Sequence, residues 1–187
     1  MSSPYLCQQD NSILVVVDIQ KRLAAAMAEG CLEKMTTNVV RLLHAAELLD
    51  IPVVALEQYP DGLGHLLPAV SEALPPVTEV VEKTSFSACG TEDFMDVIRL
   101  TGRNQAVVCG LEAHVCVLQT AMDLHQLGFR TFVVENAVCS RSQHNLEISM
   151  RRMREAGITI TVSESVIFEW LGNKNHPRFS DMLQLVR

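Results

Sequence analysis

Three residues of this sequence are of types that could together hydrolyse a carbonyl compound: an acid, an amine and a thiol. Asp18, Lys83 and Cys116 each follow a short apolar run. A thiol attacks a carbonyl carbon once a base removes its proton, and a nearby cation stabilises the charges that form. Each residue alone also has an ordinary explanation: a strand-end or helix-capping carboxylate, a solvated ammonium and a small buried side chain. A fold that brings all three to one crevice favours the catalytic interpretation.

Cys116 stands near the start of a predicted helix that follows Gly110. The free N–H groups and the dipole of a helix N-terminus stabilise a thiolate, and a neighbouring ammonium lowers a thiol pKa further. We therefore expect Cys116 to be an activated nucleophile whose pKa is lowered with the help of Lys83, although an ionised Asp18 opposes the shift. We also expect it to react fastest of the six thiols, with Cys7 as an exposed competitor and Cys109 inert in a strand.

The elements that must position these residues alternate between strands and helices. Apolar and β-branched runs predict strands at residues 12–18, 52–56, 77–81, 105–109, 129–136 and 157–162. Helical patterns are predicted at residues 32–50, 91–101, 114–127 and 145–156. This alternation is typical of a three-layer α/β/α fold with a doubly wound, mainly parallel sheet of about six strands.

Ligands bind outside the carboxyl ends of the strands in such a sheet, at the point where the strand order reverses. Asp18, Lys83 and Cys116 all follow strands, so we expect them to meet at this edge. Residues 57–76 are predicted to be irregular. We expect one domain over residues 1–187, with a flexible N-terminus at residues 1–11.

Composition excludes several classes of function. The net charge of −7 over 187 residues argues against nucleic acid or an anionic membrane as the main partner, because both reward basic surfaces. The apolar run at residues 13–17 is too short to span a bilayer. The six cysteines form no CxxC pair or zinc spacing and no secretory leader is recognised, so we expect reduced thiols and an intracellular, cytoplasmic protein.

The sequence resembles the isochorismatase-like cysteine hydrolases over roughly residues 13–170. The resemblance rests on "ILVVVDIQ" from Ile13, on "EKTSFSAC" from Glu82 and on the stretch from Val107 to Ser142. It implies that Asp18, Lys83 and Cys116 form the family's Asp-Lys-Cys triad. It also places the family's usual non-proline cis peptide at Leu111–Glu112, with backbone N–H groups near Glu112 and Cys116 turned toward the substrate carbonyl. A homo-oligomer, dimeric or larger, is implied as well.

The chain departs from the family pattern at two places. Nicotinamidases of this family carry a metal-binding Asp-x-His after the second strand, where this chain reads "LEQYPDGLGH"; His65 has no such partner, and we predict no metal. Many members have Ala-Thr where this chain has Glu112 and Ala113. Together, "EQYPDGLG" and "GLEAHVCV" most resemble the isochorismatase domain-containing subgroup.

Four further residues are candidates for the substrate pocket: Gln58, Tyr59, Phe86 and His114. Turn packing explains Gln58 and Tyr59 equally well, core packing explains Phe86, and positioning explains His114. The expected activity is hydrolysis of a C–N bond in a small amide, ureido or carbamoyl compound through a thioester, without an organic cofactor, since neither GxGxxG nor a P-loop is present. The alternatives are vinyl-ether hydrolysis of the isochorismatase type and a binding or scaffold protein without turnover.

Overall fold

A single parallel sheet forms the centre of the molecule. The computed structural model describes residues 3, 5–28 and 30–186. The strands are β1 (Ser12–Val17), β2 (Val53–Gln58), β3 (Glu79–Lys83), β4 (Gln105–Gly110), β5 (Arg130–Val138) and β6 (Thr159–Thr161). They lie in the order β3-β2-β1-β4-β5-β6, and every neighbouring pair is parallel. The predicted doubly wound parallel sheet is confirmed.

Helices cover both faces of this sheet. They are α1 (Lys21–Ala24), α2 (Cys31–Leu48), α3 (Pro60–Leu63), α4 (Pro68–Ser71), α5 (Glu92–Leu100), α6 (Leu118–Gln126), α7 (Gln143–Glu155), α8 (Ser163–Leu171) and α9 (Phe179–Val186). Side chains alternate along β1, so that Leu14 and Val16 join a core with α2, α8 and α9, whereas Ile13, Val15 and Val17 join a core with α5, α6 and α7. These two cores give the three-layer α/β/α arrangement.

The strand order reverses between β1 and β4, so the crevice of the fold lies above the carboxyl ends of these two strands. Gly110, the last residue of β4, has a φ of 120°. A Cβ atom at this position would collide with the backbone of Val17 at the end of β1. Glycine is therefore required where the two strands end side by side, directly below the crevice.

The region predicted to be irregular, residues 57–76, is more ordered than expected. Strand β2 continues to Gln58, and two short helices follow, each beginning with a proline at its first position, Pro60 and Pro68. Proline favours this position because its fixed φ suits a helix and its missing N–H would have no partner there. The third strand begins at Glu79, later than predicted, and Val77 is exposed.

Two expectations about cysteines are wrong. Cys7 is buried, and its backbone N–H donates to Glu169 Oε2 at 2.7 Å. Residues 1, 2 and 4 of the predicted flexible N-terminus lie outside the described residues, and its flexibility stays a prediction. Cys31 and Cys139 form a disulfide, because the first residue of α2 packs beside the residue that follows β5, with the two Cα atoms 6.2 Å apart.

Candidate active site

A buried ion pair joins two of the three predicted catalytic residues. Lys83 Nζ donates to Asp18 Oδ2 at 2.7 Å, and neither side chain is exposed to solvent. Asp18 directly follows β1, and Lys83 ends β3, with β2 between them in the sheet. The long lysine side chain therefore spans the end of β2 to reach the carboxylate. Two charges buried in this way require both mutual attraction and further hydrogen bonds.

Lys83 has those further hydrogen bonds. Its Nζ donates to Gln58 Oε1 at 2.8 Å and to the carbonyl oxygens of Ser85 and Phe86, each at 3.2 Å. Gln58 Nε2 in turn donates to the carbonyl oxygen of Thr84 at 2.8 Å. Gln58, predicted as a pocket candidate, thus holds the ammonium. Phe86 contributes its carbonyl to the site, while its ring is exposed and belongs to neither core.

Asp18 leaves the strand in an unusual backbone conformation. Its φ is 49°, in the left-handed region that aspartate tolerates better than most residues. Its N–H donates to Leu56 O, and its carbonyl accepts from Gln20 N–H. Asp18 Oδ1 is buried, and no described residue hydrogen-bonds to it with normal geometry. This oxygen is the part of the carboxylate that Lys83 leaves available.

Cys116 lies in a π-helical turn, Ala113–Val117, that precedes α6. The turn is closed by a hydrogen bond from Val117 N–H to Glu112 O at 3.3 Å. Such turns are rare and are often found at functional sites. The thiol is only slightly exposed, and it lies near enough to the Asp18 carboxylate for each group to shift the pKa of the other. All three predicted catalytic residues therefore meet above the carboxyl ends of the strands.

The expectation of a lowered thiol pKa is wrong. Burial raises the pKa of Cys116 to about 12, and Asp18 raises it as well, while Lys83 lowers it. Burial also raises the pKa of Asp18 above its usual value, and Lys83 and the hydrogen bond to Cys116 oppose this shift. The thiol is thus protonated at rest, beside a carboxylate whose affinity for a proton is increased. This arrangement suits transfer of the thiol proton to Asp18 during attack, rather than a thiolate formed in advance.

The turn before Cys116 contains a cis peptide bond at Leu111–Glu112, where the family resemblance placed it. No described residue accepts a hydrogen bond from the backbone N–H of Glu112 or of His114. By contrast, Ala113 N–H donates to Cys139 O at 2.9 Å. Two unpaired N–H groups near a nucleophile are suitable donors for an oxyanion.

A short segment after β5, residues 139–142, packs against this turn. His114 Nδ1 lies 3.0 Å from Ser140 Oγ, so the predicted pocket candidate His114 is held by this segment. Arg141 Nε donates to Glu112 Oε2 at 3.0 Å, and the Glu112 carboxylate is nearly buried. Arg141 and Ser140 are not among the residues predicted from the sequence. An acidic residue at position 112 without an evident partner was the one available signal.

Tyr59 and His65 are the two remaining positions discussed from the sequence. Tyr59 has a φ of 39°, is largely exposed, and lines a shallow cavity beside Lys83 and Thr84. His65 Nδ1 lies 2.9 Å from Glu57 Oε2, and this contact raises the pKa of the exposed His65 ring. Within residues 3, 5–28 and 30–186, no three His, Cys, Asp or Glu side chains group together as a metal site.

Known proteins with isochorismatase domains are similar to this chain over most of its length. The family model of the isochorismatase domain matches residues 12–165. Isochorismatase domain-containing protein 2 of Danio rerio is 34% identical over 94% of this chain and 86% of its own. Isochorismatase domain-containing protein 1 of the same species is 37% identical over 94% of this chain and 61% of its own.

Solved structures share the fold over nearly the full length. The structure of MAR1 ribonuclease from Caenorhabditis elegans is 36% identical, with a TM-score of 0.91 over 97% of this chain and 92% of its own. YcaC from Escherichia coli, an octameric hydrolase of unknown specificity, has a TM-score of 0.86 at 22% identity over 100% of this chain and 97% of its own. None of the helices in the described residues combines the length and the hydropathy that a membrane span requires. The matched domain covers most of the sequence, and the chain belongs to the isochorismatase family.

Proposed function

We propose that this protein is a cysteine hydrolase that cleaves the C–N bond of a small amide, ureido or carbamoyl compound. The observation that carries the proposal is the buried group of Asp18, Lys83 and Cys116, in which Lys83 Nζ contacts Asp18 Oδ2 at 2.7 Å and Asp18 interacts with the thiol. A nucleophile, its base and a cation that fixes the base are the parts that covalent hydrolysis needs.

In the first half of the reaction, Asp18 Oδ1 accepts the proton of the Cys116 thiol as the sulfur attacks the carbonyl carbon. The carbonyl oxygen becomes an oxyanion, and the unpaired N–H groups of Glu112 and His114 are its candidate donors, together with the N–H of Cys116. Collapse of this intermediate breaks the C–N bond. Asp18 returns its proton to the departing nitrogen, leaving a thioester on Cys116.

In the second half, Asp18 accepts a proton from water as the water oxygen attacks the thioester carbon. The C–S bond then breaks, and Asp18 gives its proton to the sulfur, which restores the thiol. Lys83 keeps its charge throughout and stays hydrogen-bonded to Asp18 Oδ2. No metal or organic cofactor takes part in these steps.

Three other functions compete with this one. Vinyl-ether hydrolysis needs the acid but not the thiol, and a scaffold protein needs neither. The relative from Caenorhabditis elegans described as a ribonuclease is 36% identical, which makes RNA cleavage a further candidate. The net charge of −7 weighs against RNA, because affinity for nucleic acid comes largely from contacts with phosphates.

The remaining aspects of the proposal concern the protein as a whole. A homo-oligomer is favoured by the octameric state of the YcaC relative. A single domain over residues 1–187, a small-molecule substrate and a cytoplasmic location complete it.

One screen separates the candidates. Small amides, ureides and carbamoyl compounds are tested for ammonia release, alongside a vinyl ether and a labelled RNA, before and after the thiols are blocked, with peptide mapping to show that alkylation of Cys116 is complete. C–N hydrolysis should occur and disappear on blocking. Vinyl-ether hydrolysis that survives blocking favours the vinyl-ether function. Cleavage of the RNA without C–N hydrolysis favours the ribonuclease function, and no activity on any of these compounds favours the scaffold. Any of these three results overturns the proposal.

A further inference from the structure

Glu112 is a second carboxylate close to the nucleophile, and the triad does not use it. Its carbonyl oxygen closes the turn that carries Cys116, accepting from Val115 N–H at 3.0 Å and from Val117 N–H at 3.3 Å. Its side chain is nearly buried. Oε2 accepts from Arg141, while none of the described residues hydrogen-bonds to Oε1. A buried carboxylate at such a place is costly unless a cation offsets it.

Arg141 supplies that cation from the neighbouring segment. Its Nε donates to Glu112 Oε2 at 3.0 Å, and its backbone N–H donates to the same oxygen at 3.4 Å. Cys139 and Ser140 of this segment also hold the turn, through Ala113 N–H and His114 Nδ1. Arg141 is the only residue of residues 139–142 that brings a charge to the turn.

We propose that Glu112 and Arg141 form a positioning pair, which fastens residues 139–142 to the turn carrying Cys116 and balances the charge beside its thiol. The proposal rests on the proposed function only in taking Cys116 as the nucleophile. The negative charge of Glu112 raises the pKa of Cys116, so without a cation beside Glu112 the Cys116 sulfur would hold its proton more tightly. Pairing with Arg141 weakens that effect, which lowers the free-energy cost of transferring the thiol proton to Asp18.

Other charges around the thiol do not replace this pair. Lys83 is already occupied by Asp18, and Glu57 at the end of β2 acts on Asp18 as a further negative charge. Helix α7 also packs against the turn, but the charged or titratable residues of its first five positions, His144 and Glu147, are exposed. His114 contacts Ser140 and is the remaining titratable residue of the turn.

The test measures how fast iodoacetamide labels Cys116 as a function of pH, and it needs no substrate. The variants are Glu112→Gln, Arg141→Gln and the double variant, all in a Cys89→Ala background that removes the half-exposed competing thiol. Peptide mapping identifies the labelled cysteine. Arg99→Gln is the matched control. Arg99 is an exposed arginine whose ion pairs are with Glu92 and Asp96, both of α5 and not of the turn.

Arg141→Gln should move the pH dependence of labelling upward by about half a pH unit, which slows labelling roughly threefold at a fixed pH below the midpoint. Glu112→Gln should move it downward. In the Glu112→Gln background, Arg141→Gln should have little further effect, because its charge then has nothing to balance. The control variant, Arg99→Gln, should label Cys116 at the same rate as the parent protein at every pH.

Loss of packing alone would give a different pattern. It would lower thermal stability and speed labelling of Cys116 in Arg141→Gln, because it would expose the nearly buried thiol, whereas loss of the charge slows labelling. An equal shift by Arg141→Gln in both backgrounds, or no shift in either, overturns the charge-balancing role. Arg141→Lys keeps the charge but not the planar Nε contact, so it should label like the parent while the amide of Ala113 exchanges with deuterium faster. Unchanged exchange overturns the fastening role.

A failure of the proposed function would leave these results standing, because no turnover is measured. Conversely, an enzyme that hydrolyses amides through Cys116 but shows no coupling between Glu112 and Arg141 would retain the proposed function and lose the positioning pair. The two claims can therefore fail separately.

Discussion

Lys83 Nζ lies 2.7 Å from Asp18 Oδ2, and both side chains are completely shielded from solvent. An ion pair buried this deeply contributes little to net stability, because desolvation of both charges offsets their attraction. Its presence at the carboxyl edge of the sheet, beside a thiol, is better explained by chemistry than by folding. The pair fixes one oxygen of Asp18 and leaves Oδ1 without a partner among the described residues.

Replacing Lys83 with methionine should destabilise the protein by about 3 to 5 kcal/mol, because Asp18 would be left as an unpaired buried charge. Without the ammonium, the pKa of Asp18 rises further above its unfolded value. Stability from a group with a raised folded pKa is complete below the unfolded pKa and is lost as pH rises through the folded pKa. The deficit should therefore be absent below the unfolded pKa of Asp18 and should grow as pH rises above it.

Thermal unfolding at several pH values measures this deficit. Lys34→Met, which removes an exposed lysine of α2, is the control and should change stability little at any pH. A deficit of the same size from acid to alkaline pH would mean that Asp18 does not carry the uncompensated charge.

Asp18→Asn should separate thiol reactivity from turnover. Asp18 raises the pKa of Cys116, so removing its charge should lower the thiol pKa and speed alkylation by iodoacetamide near neutral pH. In the proposed mechanism the same change removes the base and acid of both half-reactions, so hydrolysis should fall by about two orders of magnitude or more. Asp10→Asn, at an exposed carboxylate, should leave both rates unchanged. Parallel loss of labelling and turnover would contradict the assignment of Asp18 as the base.

Cys116 should be labelled only slowly below alkaline pH in the unmodified protein. Burial raises its pKa to about 12, and the pKa of the half-buried Cys89 is raised to about 11. Cys89, rather than the buried Cys7, is therefore the expected competitor. Labelling at increasing pH, followed by peptide mapping, measures both rates. A Cys116 rate that reaches a plateau below about pH 8 would show a thiolate formed in advance, and would restore the expectation from the sequence.

Gln58→Met should reduce kcat/KM by roughly tenfold or more, because it removes an acceptor 2.8 Å from the Lys83 ammonium while nearly keeping the side-chain volume. The matched control is Gln143→Met, since Gln143 is exposed and bonds only to Glu147 among the described side chains. Steady-state kinetics on the best substrate from the screen measures the effect. Equal kinetics for the two variants would mean that Lys83 is held adequately without Gln58.

Gly110→Ala should destabilise the protein more than Gly128→Ala. Both glycines have positive φ, 120° and 92°, so both variants have backbone strain, but only the Cβ at position 110 would collide with the backbone of Val17. Overpacking of this kind costs about 1 to 3 kcal/mol beyond the shared strain. Chemical denaturation of the two variants measures the difference. Equal losses would mean that the ends of β1 and β4 can separate without cost.

Much of the fold could be predicted because its signals are local. The continuous apolar run at residues 13–17 predicts a strand buried on both faces, and β1 indeed lies at the centre of the sheet. The short helices at Pro60 and Pro68 were missed because each has only four residues, too few to show periodicity. The two prolines were the available signal.

The proximity of three candidate residues could be predicted from the sequence, but their electrostatics could not. Strand ends that meet at one edge bring Asp18, Lys83 and Cys116 together, and the sequence shows these ends. Burial, however, depends on how helices and loops pack above that edge, which the sequence does not show. The thiol pKa is consequently raised instead of lowered. The contact between Glu112 and Arg141 joins residues 29 positions apart and has no local signal either.

The most direct measurement compares ammonia release by the unmodified protein and by Cys116→Ala over the panel of amides, ureides and carbamoyl compounds. We expect the unmodified protein to hydrolyse at least one class, and the variant to lose that activity by a factor of about a thousand or more, since the proposed mechanism forms the thioester on Cys116. Thermal unfolding of the variant confirms that it is folded. Comparable ammonia release by Cys116→Ala, or no release from any compound by the unmodified protein, would contradict a cysteine-dependent C–N hydrolase.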